Sequence, residues 1–125
     1  MALSHSLSAR GVLADAVCGL LDVASANGQL VMQTNAGAAV ATLGFSKPAF
    51  LPASSGVAAS GPITADNNAV GGTIAQAVAQ DGNGTPVFTC AVTAVGGGGD
   101  IELDSVNVSA GQTVSLTGLT YTAPQ

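Results

Sequence analysis

The fold is decided by residues 72–95, which read GTIAQAVAQDGNGTPVFTCAVTAV. Residues 81–84 at its centre, Asp-Gly-Asn-Gly, are a dense turn signal between two apolar runs. Residues 86–95 alternate, because Phe88, Cys90, Val92 and Ala94 share one parity while Thr89 and Thr93 take the other. Such a period of two is typical of a strand with one buried face. The stretch therefore predicts the returning arm of a hairpin.

The outgoing arm, residues 72–80, is less regular. Its apolar residues Ile74, Ala75 and Val78 would also suit a helical turn. The turn that follows favours a strand, so we predict an antiparallel hairpin with arms 72–80 and 86–95.

Upstream of this hairpin the sequence predicts two more strands. Residues 29–34 form a short strand before the turn signal Asn35-Ala36-Gly37. Residues 39–46 alternate and place Ala41, Leu43 and Phe45 on one face. Lys47-Pro48 ends this second strand, because proline cannot donate a ladder hydrogen bond.

Residues 48–62 are rich in Ala, Ser, Gly and Pro and predict a long loop. Residues 56–60 within it could form one small strand. Phe50 and Leu51 are candidates for anchoring the loop to the core, or for contacting a partner.

Downstream, residues 100–104, the pair Val106 and Val108, and residues 111–123 continue the strand pattern. The apolar parity shifts by one residue around Asp104-Ser105 and again at Gly118, as it does at a β-bulge. Six to eight short strands of this kind predict a mainly β fold, an antiparallel β-sandwich of jelly-roll-like type with one N-terminal α-helix.

The helix is predicted over residues 8–26, with Ser8 as its N-cap and Gly28 just past its end. Its apolar stripe consists of Leu13, Ala16, Val17, Leu20 and Ala24. We expect this stripe either to cover one end of the sheet or to reach across to a neighbouring molecule. We expect a single domain over residues 1–125, in which 1–28 form an N-terminal arm and helix and 29–125 form the sandwich.

The chain carries very little charge. Charged residues make up 7% of the sequence and hydrophobic residues 47%, with two basic side chains against seven acidic ones. A soluble domain usually carries about a quarter charged residues. Two basic side chains, Arg10 and Lys47, cannot neutralise a nucleic-acid backbone. We therefore expect much of the exterior to be covered by other copies or by a larger partner.

The N-terminal region loosely imitates an export signal, with Arg10, an apolar stretch and Ala24-Ser25-Ala26. Asp15 and Asp22 interrupt the apolar stretch, and the segment is better interpreted as a folded helix. The longest uncharged stretch, residues 23–46, contains polar side chains and three glycines, so we expect no membrane span.

Candidate catalytic groups are scarce. His5 is the one histidine, and it precedes the helix. The run Gly96–Gly99 lacks the Gly-Lys-Ser/Thr that a phosphate-binding loop requires, and residues 81–84 lack the ligand spacing of a calcium loop. Cys18 and Cys90 are interpreted as buried small apolar residues, with a bridge between them as the alternative. We predict no enzyme activity, no catalytic, cofactor-binding or metal-binding residues, and no cofactor.

Asp100, Glu102 and Asp104 alternate, so in an extended strand their carboxylates would point to one face. Three interpretations stay open: a site for a hard cation such as Ca²⁺, a contact with a basic surface on a partner, or the solvated face of a strand whose other face is Ile101 and Leu103.

Several segments together resemble small virion proteins of tailed bacteriophages. They are ATLGFSKPAF at residues 41–50, Gly56-Val57-Ala58, DIELDS at 100–105, AGQTV at 110–114 and LTYTAP at 119–124. Proteins of this size in that group include capsid cement, or decoration, proteins. The resemblance implies a β fold on the outer surface of the virion head, made in the host cytoplasm, which clamps neighbouring major capsid subunits.

We accordingly expect a structural protein whose partners are the major capsid protein and other copies of itself, with a dimer favoured because twofold closure is the commonest symmetry. No nucleic acid, membrane or small-molecule substrate is expected. A tail, fibre or baseplate binding module is the alternative, and a secreted adhesin or sugar-binding domain is disfavoured because it would need aromatic platforms. The predicted partner-binding residues are Leu13, Val17, Leu20, Phe50, Leu51, Asp100, Glu102 and Asp104.

Overall fold

A computed structural model describes residues 6–116 and 119–122. Helix α1 spans Leu7–Gly19 and continues as a 3-10 turn over Leu20–Asp22. Ten strands follow: β1 Gln29–Gln33, β2 Ala39–Phe45, β3 Val57–Ala59, β4 Ile63–Thr64, β5 Gly72–Thr73, β6 Gln76–Gln80, β7 Pro86–Ala94, β8 Ile101–Leu103, β9 Asn107–Val108 and β10 Thr120–Thr122.

The helix is shorter than predicted and begins earlier. Ser6, not Ser8, is the N-cap, because the Ser6 hydroxyl accepts a hydrogen bond from the Ala9 N–H at 3.1 Å. After the 3-10 turn the chain leaves the helical path, and the Lys47 ammonium donates to the carbonyls of Ala24 and Ser25. The predicted extension to residue 26 is therefore wrong, since a cation bonded to these carbonyls ends the segment.

Of the two alternatives for the apolar stripe of the helix, the one that places it on the sheet is wrong. The residues that enter the core are Ala14, Cys18 and Leu21, which recur at spacings of four and three. Of the predicted set only Ala24 is buried, whereas Leu13, Ala16 and Leu20 face outward. The helix is apolar on two opposite sides, so periodicity alone could not say which side meets the sheet.

Six strands form the main sheet in the order β4-β2-β1-β6-β7-β8. The predicted hairpin is confirmed as β6 and β7, which pair antiparallel with Ala77 opposite Cys90. The outgoing arm is a strand from Gln76, and the preceding Gly72–Thr73 forms the separate strand β5. One pair departs from the antiparallel pattern, since β8 runs parallel to β7.

A small sheet of β3 and β10 covers the core side of the main sheet, and the helix packs on both of its strands. Aromatic rings connect the layers: Phe45 of β2 contacts Phe50, Phe50 contacts Phe88 of β7, and Phe88 contacts Tyr121 of β10, with centroids 5.8, 6.5 and 5.2 Å apart. The largest fully buried side chains are Phe45, Leu21, Leu30, Met32, Leu43, Ile74 and Val40. The prediction of a mainly β fold with one N-terminal helix is confirmed.

The parity shift at Asp104-Ser105 has a different cause from the predicted bulge. β8 pairs with β7 in the main sheet, whereas β9 pairs with β5 in a separate two-stranded sheet. The chain changes sheets between them, so each strand sets its own parity. Val114 forms an isolated bridge with Asp66 before β10 begins. The second predicted bulge, at Gly118, lies outside the described residues.

Candidate interaction surface

Most of the acidic side chains form hydrogen bonds with the backbone of the same chain. Six of the seven acidic residues accept hydrogen bonds from backbone N–H groups, namely Asp15, Asp22, Asp66, Asp81, Asp100 and Glu102. Asp81, which is 7% exposed, accepts from the N–H groups of Asn83 and Thr85 inside the hairpin turn. Charge-assisted hydrogen bonds to backbone donors are stronger than neutral ones. These few carboxylates therefore stabilise contacts within the chain.

Two of the three acidic residues at β8 accept backbone hydrogen bonds, but all three remain exposed, and Asp100 and Glu102 line the same cavity. Asp100 precedes the strand and accepts from the Ala91 N–H at 3.0 Å, while Glu102 accepts from the Gly98 N–H at 3.1 Å. Only Asp104 shows no hydrogen bond among the described residues. Within 6–116 and 119–122, no three His, Cys, Asp or Glu side chains lie close enough together to hold a metal ion. Asp100 and Glu102 thus brace the glycine loop beside β7.

Two carboxylates tie the helix to the loop that follows β2. Asp15 accepts from the Ala53 N–H at 2.7 Å, and Asp22 accepts from the Ala49 N–H at 3.1 Å. Between these ties lies an open groove of about 310 Å³, which we call the helix–loop groove. It is lined by Asp15, Cys18, Gly19, Asp22, Pro48, Phe50, Leu51 and Pro52.

The two apolar candidates of this loop have opposite roles. Phe50 is 6% exposed and packs between Phe45 and Phe88, so it anchors the loop and cannot contact a partner. Leu51 is 54% exposed at the rim of the helix–loop groove. Of the two, only Leu51 is available for binding.

The side of the helix turned away from the core is apolar along its whole length. Val12 is 69% exposed, Leu20 is 50% exposed and Val23 is 67% exposed. Leu13 is exposed by 36%, and Val17 is half-buried beside it. We call this surface the outer helix face; its members are Ala9, Val12, Leu13, Ala16, Val17, Leu20 and Val23.

The structure therefore brings together three of the predicted contact residues, Leu13, Val17 and Leu20, on one surface. The stripe predicted from the sequence did not include Val12 and Val23, which the structure also leaves exposed. A signal was present, since Ala9, Leu13, Ala16, Leu20 and Val23 follow the alternating four- and three-residue spacing of a helix–helix seam.

The exposed face of the main sheet is polar but uncharged at β1 and β6. Gln76 donates a hydrogen bond to Gln33 at 3.0 Å, and Gln80 donates to Gln29 at 3.2 Å. Val31 and Val78 pair between these two bonded glutamine pairs. The side-chain amides of the four glutamines bond to one another, so this surface is polar but carries no charge.

A second cleft, of about 420 Å³, lies between β7 and β10 and includes Cys90, Asp100 and Tyr121. Burial, with a smaller effect of Asp100, raises the pKa of the Cys90 thiol to about 11. Burial and the nearby Cys18 also raise the pKa of Tyr121. A thiol that stays protonated at neutral pH beside a carboxylate already bonded to Ala91 is not an activated nucleophile. The cleft therefore contains no activated thiol paired with a base.

The cysteines are free and buried. Burial, with Asp15 and Asp22 as smaller causes, raises the pKa of the Cys18 thiol to about 11 as well. The interpretation as small apolar core residues is confirmed, and the alternative of a bridge is wrong. Among the described residues, no helix is long and apolar enough to span a membrane.

Comparison with known proteins found no match to a family model, to a curated protein or to a solved structure. Function is therefore inferred from the surfaces of the molecule itself and from the sequence resemblance described above.

Proposed function

We propose that this chain is a non-enzymatic virion structural protein, a capsid cement protein that binds the outer surface of a phage head and clamps neighbouring major capsid subunits. The observation that carries the proposal is an exterior with apolar surface where a solitary protein carries charge. The outer helix face and Leu51 are exposed and uncharged. Six of the seven carboxylates accept hydrogen bonds from backbone N–H groups, although Asp15, Asp100 and Glu102 are themselves exposed. Such surface loses little solvation on binding, which suits a protein that works by contact.

The helix–loop groove is the proposed contact with the shell. Its rim residue Leu51 could enter an apolar pocket of the shell, and Pro48 and Pro52 keep the loop stiff on both sides of it. Summed over many copies, modest contacts of this kind hold a shell against internal pressure.

The test is occupancy on particles. Purified protein, wild type or variant, is added to phage heads that lack it, and bound copies are counted by gel densitometry. We expect Leu51→Asp to lower occupancy at least about tenfold, because it places an unpaired charge in an apolar contact. Val70→Asp is the matched control, since Val70 is 72% exposed elsewhere on the surface, and its occupancy should equal that of the wild type.

Removal of the whole helix is not a suitable test. Ala14, Cys18 and Leu21 belong to the core, so a deletion of residues 1–26 would damage the fold as well as any contact. Hundreds of copies per particle would support a cement protein, whereas a few copies would favour the tail or baseplate alternative. Heads that bind none of the wild-type protein would contradict the proposal.

A further inference from the structure

We propose that the open edge of the main sheet at β8 binds an extended strand of a partner protein, and that this strand alternates basic and apolar side chains. The inference rests on the proposed function only for the identity of the partner, which is the shell protein. It names a second contact, separate from the helix–loop groove. Its evidence is the unpaired strand edges and the charge around one trough.

The trough lies between β8 and the C-terminal part of the described chain. A cavity of about 340 Å³ has residues 100–102 on one wall and Leu116 and Thr120 on the other. A second cavity, of about 220 Å³, is lined by the next residues of the same two segments, 103–105 and 112–115. We call the two cavities together the edge trough.

The wall formed by β8 is the last strand of the main sheet. The Val95 N–H donates to the Leu103 carbonyl at 3.0 Å, so the backbone groups of Leu103 face β7. Backbone groups alternate between the two edges of a strand in a parallel ladder, and those of Glu102 therefore point away from β7. Glu102 lines the edge trough.

The opposite wall is bonded on its far side. The Ser60 N–H donates to the Leu119 carbonyl at 2.8 Å, and Val114 exchanges two backbone hydrogen bonds with Asp66. The backbone groups of Thr120 therefore point away from β3. Between the described residues of the two walls, no backbone hydrogen bond crosses the edge trough. Two unpaired edges that face one space are a template for an added strand.

The charge around the edge trough selects the occupant. Asp100, Glu102 and Asp104 alternate along one wall, and all three are exposed. Arg10 and Lys47 are the two basic side chains of the sequence, and neither lines the edge trough. Opposite charges on neighbouring strands attract, whereas like charges destabilise the pair. The added strand should therefore carry Lys or Arg beside these acids.

The other face of the wall is apolar. Ile101 is buried and Leu103 is half-buried between the acidic residues. Because side chains alternate across a strand, an added strand that places basic side chains outward places every second side chain toward the core. Those side chains should be apolar. A second copy cannot supply such a strand, since its two basic residues, Arg10 and Lys47, lie far apart in the sequence.

The first experiment measures binding of a fluorescein-labelled heptapeptide of alternating valine and lysine to the purified full chain by fluorescence anisotropy. We expect a dissociation constant near about 100 μM. The same peptide with glutamate in place of lysine should bind at least about tenfold more weakly, because like charges would then face each other. A peptide N-methylated at alternate amides should lose at least about tenfold as well, because it lacks backbone donors.

The second experiment changes the protein. Asp104→Asn removes one charge from the edge trough at a side chain without a hydrogen bond among the described residues, and we expect about threefold weaker binding of the lysine peptide. Val23→Lys is the matched control, because it makes the same one-unit change in net charge at a position that is 67% exposed outside the edge trough. Its affinity should equal that of the wild type. Circular dichroism confirms that both variants are folded.

The third experiment follows amide hydrogen exchange by NMR. We expect exchange at Glu102 and Thr120 to slow at least about tenfold with excess lysine peptide, because their N–H groups gain partners. Unchanged exchange at both amides, or equal binding of the N-methylated peptide, would overturn the added strand. Equal binding of the glutamate peptide would overturn its basic character, and no binding at about 1 mM would overturn the whole inference.

Competition on phage heads tests the source of the strand. Excess lysine peptide should lower the number of bound copies per head, whereas the glutamate peptide should not. Unchanged occupancy, with the peptide bound in solution, would overturn the shell as the partner and leave the proposed function standing. Peptide binding to a protein that decorates no head would support the edge trough and count against the proposed function.

Discussion

At the scale of single residues, the acidic side chains of this protein are placed by hydrogen bonding rather than by ion pairing. Asp66 accepts from the N–H groups of Thr42 and Asn68, at 2.9 Å each. It thereby joins the loop after β4 to the edge of β2. The sequence showed isolated acids, but the backbone donors that use them come from segments up to 38 residues away.

A first prediction concerns the stability of the protein at low pH. The bonds from Thr42 and Asn68 lower the pKa of Asp66, although it is a surface group. Because its folded pKa lies below its unfolded value of about 3.9, its stabilisation is complete above that value and is lost as the pH falls through the folded pKa. We expect Asp66→Asn to lower the urea midpoint at pH 7 and to make little difference near pH 2. A deficit of the same size at both pH values for Asp66→Asn would contradict the prediction.

A second prediction concerns the thiols. Burial raises the pKa of Cys18 and Cys90 to about 11, so almost no thiolate exists at pH 8. We expect labelling by an aromatic disulfide reagent to be at least about 100-fold slower in the native protein than in 6 M guanidinium chloride. Two thiols should then react on unfolding. Rapid labelling of the native protein, or fewer than two thiols after unfolding, would count against this assignment.

At the scale of elements, α1 has two apolar sides and the fold uses one of them. Neighbouring residues show the contrast most clearly: Leu21 is fully buried, whereas Leu20 is 50% exposed. The ties from Asp15 and Asp22 to the loop after β2 fix the rotation of the helix. Those hydrogen bonds are tertiary contacts, so helical periodicity alone could not show which apolar side meets the sheet.

A third prediction follows from this pair. Leu21→Ala should reduce the free energy of unfolding by about 3 kcal/mol, because it opens a cavity between the helix and the sheets. Leu20→Ala should change it by less than about 0.5 kcal/mol. Urea unfolding at low protein concentration, where self-association contributes little, measures both. Equal effects at the two positions would mean that the helix is rotated relative to this structure.

At the scale of the whole molecule, the protein has few charged side chains, so added salt has few charge–charge interactions to screen. The net charge is −5, and the exposed surfaces of β1, β6 and the outer helix face are uncharged. Folding should therefore be driven by apolar burial and hydrogen bonding.

A fourth prediction tests this. Raising NaCl from about 0.05 M to about 0.5 M should change the free energy of unfolding by less than about 1 kcal/mol, since surface charge interactions are weak and few. Ammonium sulfate at equal ionic strength should stabilise the protein, because it enhances apolar burial. A marked loss of stability in NaCl would reveal ion pairs on which the fold depends.

Local residue patterns were enough to predict most of the strands and turns, and the composition alone showed the scarcity of charge. Alternation in residues 39–45 and 86–94, and the turn at 81–84, are local signals that pleated geometry and turn stereochemistry translate directly into structure. Tertiary contacts set which side of α1 is buried, place β8 and β9 in different sheets, and supply the N–H donors that Asp100 and Glu102 accept from. These outcomes depend on which backbone donors and apolar surfaces meet across long sequence separations, and local periodicity holds no information about such meetings.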